Sequence, residues 1–173
     1  MNPALTAWNA AAEAAALEAV LTCCGSKRWA TAMVALRPIG SVMELSEAAD
    51  RTWSTMQEAD WIEAFACHPR IGERKAARAA THAIGRSAAW SRQEQSSAKA
   101  ANEPVLAELA EGNAHYEQRY GFTYIVCATG KSAEEMLAIL KRRLASNREA
   151  ELREAAEQQR QIMQIRLGKW LIE

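Results

Sequence analysis

The 173-residue sequence predicts an all-α protein, a single-domain bundle of about eight helices with one short extended connector. Alanine is abundant, whereas strand-favouring aromatic residues are few, with two phenylalanines and three tyrosines. Valine and isoleucine rarely alternate with polar residues, as they would along half-buried strands. Helix-favouring residues and capping-box spacings recur along the chain. No linker or repeat interrupts it, so we expect one domain over residues 1–173.

Two helices are predicted before Pro38. The first carries apolar residues at positions i, i+3, i+4 and i+7, followed by Gly25 as the residue beyond its end. These apolar residues are Leu17, Val20, Leu21 and Cys24. Trp29, Met33 and Leu36 indicate a second, shorter helix. Proline cannot continue a helix, so this one should stop before residue 38.

Capping-box spacings predict the next two helices. A polar N-cap residue and a carboxylate three residues later can satisfy the first free amides of a helix. Ser41-x-x-Glu44 should begin one helix, and Asp60-x-x-Glu63 should begin another that runs into His68.

The middle of the chain is predicted to be helical with one interruption. Residues 73–89 are helix-prone but weakly apolar, so we expect an exposed helical segment and then a loop, with Gly85 as a break. Ser91-x-x-Glu94 should start a long helical region with Pro104 as a kink or junction. Its later apolar and aromatic positions, up to Gly121, are Leu106, Leu109, Asn113, Tyr116 and Tyr120.

Residues 122–127 form a strongly strand-like run, Phe-Thr-Tyr-Ile-Val-Cys. A single short strand has no partner, so we interpret the run as an extended connector buried between helices. Its backbone groups must then bond to other protein groups, to water or to a ligand. Ser132-x-x-Glu135 should cap the next helix, and Asn147 should cap the last one.

Composition excludes several classes of partner. Lys plus Arg and Asp plus Glu both number 21, so nothing indicates a nucleic-acid or anionic-membrane surface. No apolar run approaches the roughly 20 residues of a membrane span, and the N-terminus does not resemble a signal peptide. The four cysteines form no Cys-x-x-Cys pair, so we expect reduced thiols and a cytoplasmic protein. The six tryptophans fit a core or the face of a homodimer.

Metal and phosphate sites are not predicted either. The three histidines, His68, His82 and His115, are neither i, i+4 neighbours nor close to a cysteine cluster. No glycine-rich phosphate loop occurs. Cys67 lies beside His68, but adjacent helical residues point about 100° apart, so we interpret Cys67 as a small core residue.

Residues 66–72, Ala-Cys-His-Pro-Arg-Ile-Gly, are the chemically richest stretch. Pro69 disfavours helical dihedrals at His68, so the histidine should lie where a helix stops. His68 then has two interpretations: a general acid/base, or a histidine that merely offsets the negative end of a helix dipole. Glu94, Gln95 and Arg166 also have purely structural interpretations, and spacing alone does not bring them together.

The combined motifs resemble the OHCU decarboxylase family over nearly the whole chain. His-Pro-Arg-Ile-Gly, followed by Ser-x-x-Glu-Gln and by Gly-Phe-x-Tyr-Ile-Val-Cys-Ala-x-Gly-Lys-Ser, is the most specific part. In chain order the matching residues are Cys23-Cys24-Gly25-Ser26, Trp29, Arg37-Pro38, His68-Pro69-Arg70-Ile71-Gly72, Trp90-Ser91, Glu94-Gln95, Asn113, Tyr116, Tyr120-Gly121-Phe122, Tyr124-Ile125-Val126-Cys127-Ala128, Gly130-Lys131-Ser132 and Arg166-Leu167. Tyr120 departs from the family's phenylalanine, an aromatic exchange.

This resemblance implies a cofactor-free, all-helical enzyme that converts 2-oxo-4-hydroxy-4-carboxy-5-ureidoimidazoline (OHCU) to (S)-allantoin in urate breakdown. It implies that His68 is the proton donor and that Glu94 assists it. Arg160 competes with Arg166 as the site arginine, and Arg70 is interpreted as structural. Substrate contacts are expected at Pro69, Ser91, Gln95, the backbone of Tyr124, Ile125, Val126, Cys127 and Ala128, and Arg166.

Two competing interpretations remain at this stage. A helical interaction module would use the His-Pro turn only as a cap and would keep His68, Glu94 and residues 124–128 apart. An enzyme of the hydroxyisourate hydrolase step is associated with a β-rich fold, which this sequence does not support.

Overall fold

The computed structural model describes residues 2–71, 85–96 and 103–172. These residues form nine α-helices and no β-strand, which confirms the all-α class. The helices are α1 (Pro3–Ala10), α2 (Glu13–Leu21), α3 (Lys27–Ala35), α4 (Val42–Ser54), α5 (Glu58–Ala66), α6 (Gly85–Glu94), α7 (Glu103–Tyr120), α8 (Ala133–Arg143) and α9 (Arg148–Trp170). The short helix α1 was not predicted. None of the described helices is long and apolar enough to cross a bilayer.

The chain groups into two compact units. The terminal unit comprises Met1–Ala64 with Arg160–Glu173, and the central unit comprises Phe65–Gln159. In the terminal unit, the Trp8 and Trp170 rings meet edge to face with centroids 6.0 Å apart. The expectation of one domain over residues 1–173 stays a prediction.

Several helix boundaries agree with the capping rules. The Glu44 amide donates to Ser41 Oγ at 3.1 Å, and the Ala150 amide donates to Asn147 Oδ1 at 2.9 Å. Ser132 and Glu135 form a complete capping box at the start of α8. The polar residues predicted to begin α4, α8 and α9 therefore do so.

Other boundaries correct the sequence interpretation. Ser91-x-x-Glu94 does not begin a helix, since both residues lie in the last turn of α6. Residues three apart also share one face inside a helix, so this spacing fits a helix end as well as a start. Of the two predicted roles of Pro104, the junction agrees with the structure and the kink does not, because Pro104 is the second residue of α7 and the first turn of a helix tolerates proline.

Smaller errors have equally local causes. Asp60 accepts the Gln57 amide at 2.9 Å, so α5 begins at Glu58, before the predicted N-cap. α2 ends at Leu21 with Thr22 as its C-cap, so Gly25 is not its terminal residue. α3 ends at Ala35, one residue short of Leu36. Gly85 begins α6, while residues 73–84 of the predicted exposed segment lie outside the described residues.

The connector consists of residues 121–132, between α7 and α8, and the described structure pairs none of it in a sheet. Gly121 and Gly130 have positive φ values of 81° and 78°, a conformation that glycine adopts at little cost. Between them, all residues from Tyr124 to Ala128 are buried. The predicted extended, buried segment is confirmed.

Candidate active site

His68 lies two residues beyond α5, which ends at Ala66 and does not run into the histidine as predicted. Its amide donates to the Phe65 carbonyl at 3.0 Å, which closes the last turn of the helix. Pro69 follows, so the helix cannot continue and the half-buried imidazole projects from its end. The ring Nε2 lies 2.7 Å from Oε1 of Gln159, a residue with no solvent exposure. A rigid helix and a buried amide thus fix the histidine.

Two consecutive glutamines of α9 link this histidine to the connector. Gln159 bonds to His68, and Gln158 Oε1 accepts the Cys127 amide at 2.8 Å. Because adjacent helical side chains point about 100° apart, one pair of residues can reach two separate segments. His68 and residue 127 are therefore tied to the same turn of α9.

A buried ion pair supports the middle of the connector. Arg143 Nη1 donates to the Ile125 carbonyl at 2.6 Å, and Arg143 Nε donates to Glu151 at 2.6 Å. The Tyr116 hydroxyl donates to the same carboxylate at 2.5 Å. The guanidinium also lies 4.9 Å from the centroid of the Tyr124 ring, within cation–π range. The Arg143 and Glu151 side chains are only 5% and 1% exposed.

The environment of this network changes the proton affinities of its members. Burial raises the pKa of both Tyr116 and Tyr124 above the usual value. Burial lowers the pKa of Arg143, but the hydrogen bond to Glu151 and the charge interactions with Tyr116, Glu151 and Tyr124 together outweigh it, so the net direction is upward. The tyrosines are therefore neutral and the arginine charged at neutral pH.

The end of α6 lies against the His68 segment. Gln95 Nε2 donates to the Pro69 carbonyl at 3.3 Å, and Ser91 is 1% exposed. Burial raises the pKa of the Cys127 thiol, against smaller lowering effects of Lys131 and the Thr129 backbone, and the Glu94 carboxylate adds the smallest, upward contribution. Cys127 is a protonated thiol at neutral pH, and all four cysteines are free of disulfides.

The central unit therefore brings together most of the residues that the sequence singled out. His68, Pro69 and Gln95 lie on one side, and residues 124–128 are joined to His68 through α9. The connector groups at residue 127 are already bonded within the protein, since the Cys127 carbonyl also accepts from Lys131 Nζ at 2.8 Å. The roles assigned to these residues stay predictions.

The candidate arginines differ in their surroundings. Arg166 and Arg160 belong to the terminal unit. Arg166 is buried, whereas Arg160 forms an ion pair with Asp50 at 2.9 Å. Arg70 binds Glu117 through two hydrogen bonds of 2.7 and 2.6 Å, and its structural role stays a prediction.

Sequence reasoning missed Gln158, Gln159, Arg143 and Glu151. The glutamines are separated from their partners by 31 and 91 residues, so no local spacing indicates the contacts. Arg143 follows Lys141 and Arg142 at the end of α8, where basic residues are common for reasons of helix dipole alone. Within the described residues, no group of three His, Cys, Asp or Glu side chains is arranged to hold a metal ion.

Comparisons with known proteins agree with the resemblance seen in the sequence. The family model described as OHCU decarboxylase matches residues 9–168. The uric acid degradation bifunctional protein TTL of Arabidopsis thaliana is 36% identical over 148 residues, which cover 85% of this chain and 44% of the plant protein. The chain thus spans less than half the length of that relative.

Two further relatives match over more of their own length. The 2-oxo-4-hydroxy-4-carboxy-5-ureidoimidazoline decarboxylase of Amia calva is 28% identical, over 76% of this chain and 73% of that protein. A crystal structure of OHCU decarboxylase in the presence of (S)-allantoin superposes with a TM-score of 0.75 at 32% identity, covering 88% of this chain and 96% of the other.

Proposed function

The chain belongs to the OHCU decarboxylase family, and on that premise we propose that it decarboxylates OHCU to (S)-allantoin in uric acid degradation, with His68 as general acid/base. The observation that carries this proposal is the family match over residues 9–168, a range that contains every candidate site residue. The position of His68 supports it, because the imidazole lies at a helix end and is held by a buried amide.

The substrate's own structure makes the decarboxylation feasible. OHCU carries a hydroxyl and a carboxylate on one ring carbon, next to a C=N bond. When the C–C bond to the carboxylate breaks, CO2 leaves and the electron pair moves into that C=N bond. The substrate is thus its own electron sink, and the chemistry requires no added cofactor.

The stereochemistry then depends on one proton. The enol that remains must become a ketone and take a proton on the ureido-bearing carbon. Histidine suits this step because its pKa lies near working pH. A single fixed donor delivers the proton to one face, which sets the S configuration.

The neighbouring groups would hold the substrate in place. Glu94 would orient the imidazole or bind the substrate hydroxyl and ureido N–H, and Arg166 would bind an anionic or carbonyl oxygen. Pro69, Ser91, Gln95 and the backbone of residues 124–128 would complete the contacts. Two hydrogen bonds support this assignment: Gln95, just after α6, bonds to the Pro69 carbonyl, and Gln158 of α9 bonds to the amide of residue 127.

The test is to replace His68 and follow the chirality of the product. His68→Asn should lower kcat by roughly 10²–10⁴-fold, the usual contribution of a general acid/base. OHCU decays spontaneously to racemic allantoin, so the enantiomeric excess should fall as well. His115→Asn is the matched control, because His115 is exposed. A folded His68→Asn variant, checked by circular dichroism, that still made (S)-allantoin at the native rate would refute the assignment.

We further propose that the chain acts in a reducing cytoplasm as a homodimer. The four free thiols support the first part. Exposed Leu36, Val42 and Met43, at 50%, 44% and 71%, support the second. Light scattering after gel filtration measures the mass of the assembly, and a monomer at all concentrations would contradict the dimer.

A further inference from the structure

Gln159 has a buried side chain in which the amide oxygen has a hydrogen-bond partner and the amide nitrogen has none among the described residues. Its exposed fraction is 0%, and its Oε1 lies 2.7 Å from His68 Nε2. Its amide nitrogen, Nε2, is also buried and has no hydrogen-bond partner within the described residues. A buried N–H that bonds to nothing is a destabilising feature, which proteins generally avoid.

The preceding residue shows that this arrangement is particular to Gln159. Gln158 is also a glutamine of α9, and both ends of its amide are bonded. Its Oε1 accepts the Cys127 amide at 2.8 Å, and its Nε2 donates to Glu154 at 2.9 Å. The unpaired nitrogen of Gln159 therefore does not follow from the residue type or from the helix.

We propose that Gln159 has two roles: it positions His68, and it donates a hydrogen bond to the bound substrate. The second role rests on the proposed function, which identifies the substrate. The amide oxygen fixes the histidine. The amide nitrogen donates to an oxygen that the substrate brings, from a carboxylate, a hydroxyl or a ring carbonyl group.

The first half follows from hydrogen-bond chemistry. A carbonyl oxygen only accepts, so the hydrogen between Gln159 and His68 must be carried by the imidazole Nε2. Nε2 keeps this hydrogen in both the neutral and the protonated ring. The proton that His68 gives or takes is then the one on Nδ1, and Gln159 selects that tautomer as well as the ring orientation.

The second half follows from the position of the unpaired nitrogen. In a primary amide the nitrogen and oxygen are attached to the same carbon, so Nε2 of Gln159 lies close to the imidazole that Oε1 contacts. A ligand that lies along the imidazole, with its reacting carbon at Nδ1 and an oxygen reaching the Nε2 edge, would meet this donor. OHCU and allantoin both carry oxygen acceptors, and no protein acceptor among the described residues already bonds to this donor.

Two variants separate the two ends of the amide. Gln159→Glu keeps an acceptor for His68 Nε2–H but removes the N–H donor. Gln159→Leu removes both. Gln164→Leu is the matched control, because Gln164 is a hydrogen-bonded glutamine of the same helix whose Nε2 donates to Ser46 and Asp50. It deletes comparable bonds in the terminal unit.

The tautomer is measured without any substrate. Nitrogen-15 NMR of the histidine rings distinguishes Nε2–H from Nδ1–H, and His68→Asn identifies the His68 signals among three histidines. We expect Nε2–H in the native chain, in Gln159→Glu and in Gln164→Leu, and a mixture of tautomers in Gln159→Leu. An Nδ1–H ring in the native chain, or an unchanged spectrum in folded Gln159→Leu, would overturn the positioning role.

The donor is measured by titration with (S)-allantoin and by KM for freshly generated OHCU. Gln159→Glu should lower the affinity for (S)-allantoin and raise the KM for OHCU, each by about tenfold, the fold-change expected for one hydrogen bond. Gln164→Leu should leave both unchanged. Native affinity for (S)-allantoin in Gln159→Glu, or no binding by the native chain, would overturn the donor role. If the native chain bound (S)-allantoin but produced no excess of that enantiomer from OHCU, the proposed function would fail, while the NMR result would still decide how His68 is held.

Discussion

The His68 corner, residues 66–71, and the connector, residues 121–132, are both irregular, but different chemistry fixes them. In the corner, His68 and Pro69 bond to neutral amides, those of Gln159 and Gln95. In the connector, a buried guanidinium–carboxylate pair holds the Ile125 carbonyl. A neutral acceptor such as Gln159 leaves no carboxylate unpaired when the imidazole loses its proton, whereas a permanent buried pair suits a backbone that must stay in place. The difference matches the roles we propose, an acid/base group and a rigid binding edge.

The largest expected effect comes from breaking the connector's ion pair. Arg143→Met leaves the Glu151 carboxylate buried without its cation, which should lower the free energy of unfolding by about 3–5 kcal/mol. The double variant Arg143→Met/Glu151→Leu should be less destabilised than the single one, because no buried charge is left unpaired. Urea denaturation measures both.

The chain contains a matched control for this change. Arg153 pairs with Glu149 on α9, with side chains 73% and 78% exposed. Arg153→Met should change the unfolding free energy by less than about 0.5 kcal/mol. If Arg143→Met cost no more than Arg153→Met, the buried pair would not be what holds the connector.

The contrast between the two regions also explains what the sequence could and could not predict. The C-terminal end of α5 and the start of α8 depend on neighbouring residues, so Pro69 predicted the first to within two residues and the Ser132-x-x-Glu135 box predicted the second. The spacing of Ser91 and Glu94 is the same at either end of a helix, so that prediction was wrong. A local sequence pattern predicts a helix boundary only when the pattern fits one end of a helix and not the other.

The contacts that build the site are long-range and therefore were not predictable. His68 and Gln159 are 91 residues apart, and nothing in the composition of α9 distinguishes Gln159 from its neighbours. The resemblance supplied the candidate list, including His68, Glu94 and residues 124–128. The side chains that position them came only from the three-dimensional structure.

A second, smaller effect should appear at alkaline pH. Burial raises the pKa of Tyr116 and Tyr124 in the folded state above 10.0. When the pKa of a tyrosine is higher in the folded chain than in the unfolded chain, its contribution to stability is fully present below the pKa of the unfolded chain. That contribution is lost as the pH rises above the unfolded pKa. The unfolding free energy should thus fall above pH 10, by about 1.4 kcal/mol per pH unit for each tyrosine.

Tyr124→Phe tests this cause directly. Phenylalanine cannot ionise, so the slope above pH 10 should become shallower than in the native chain. At pH 7 the variant should lose only the hydrogen bond to the Met136 carbonyl, about 1 kcal/mol. Equal slopes in the two proteins, measured by denaturant titration across the alkaline range, would show that buried tyrosine does not control the transition.

The smallest effect concerns the one ion pair that we describe in the His68 corner. Arg70 and Glu117 are 41% and 24% exposed, unlike the buried pair behind the connector. Water screens this pair, so Arg70→Lys, which loses the two-point contact, should cost at most about 1 kcal/mol of unfolding free energy. It should also leave the enantiomeric excess of allantoin unchanged, because the hydrogen bond between His68 and Gln159 does not involve Arg70. Arg51→Lys is the matched exposed control, with side chains 66% and 58% exposed in its pair with Glu47. A loss of enantiomeric excess in Arg70→Lys but not in Arg51→Lys would mean that charge, as well as neutral hydrogen bonding, fixes the His68 corner.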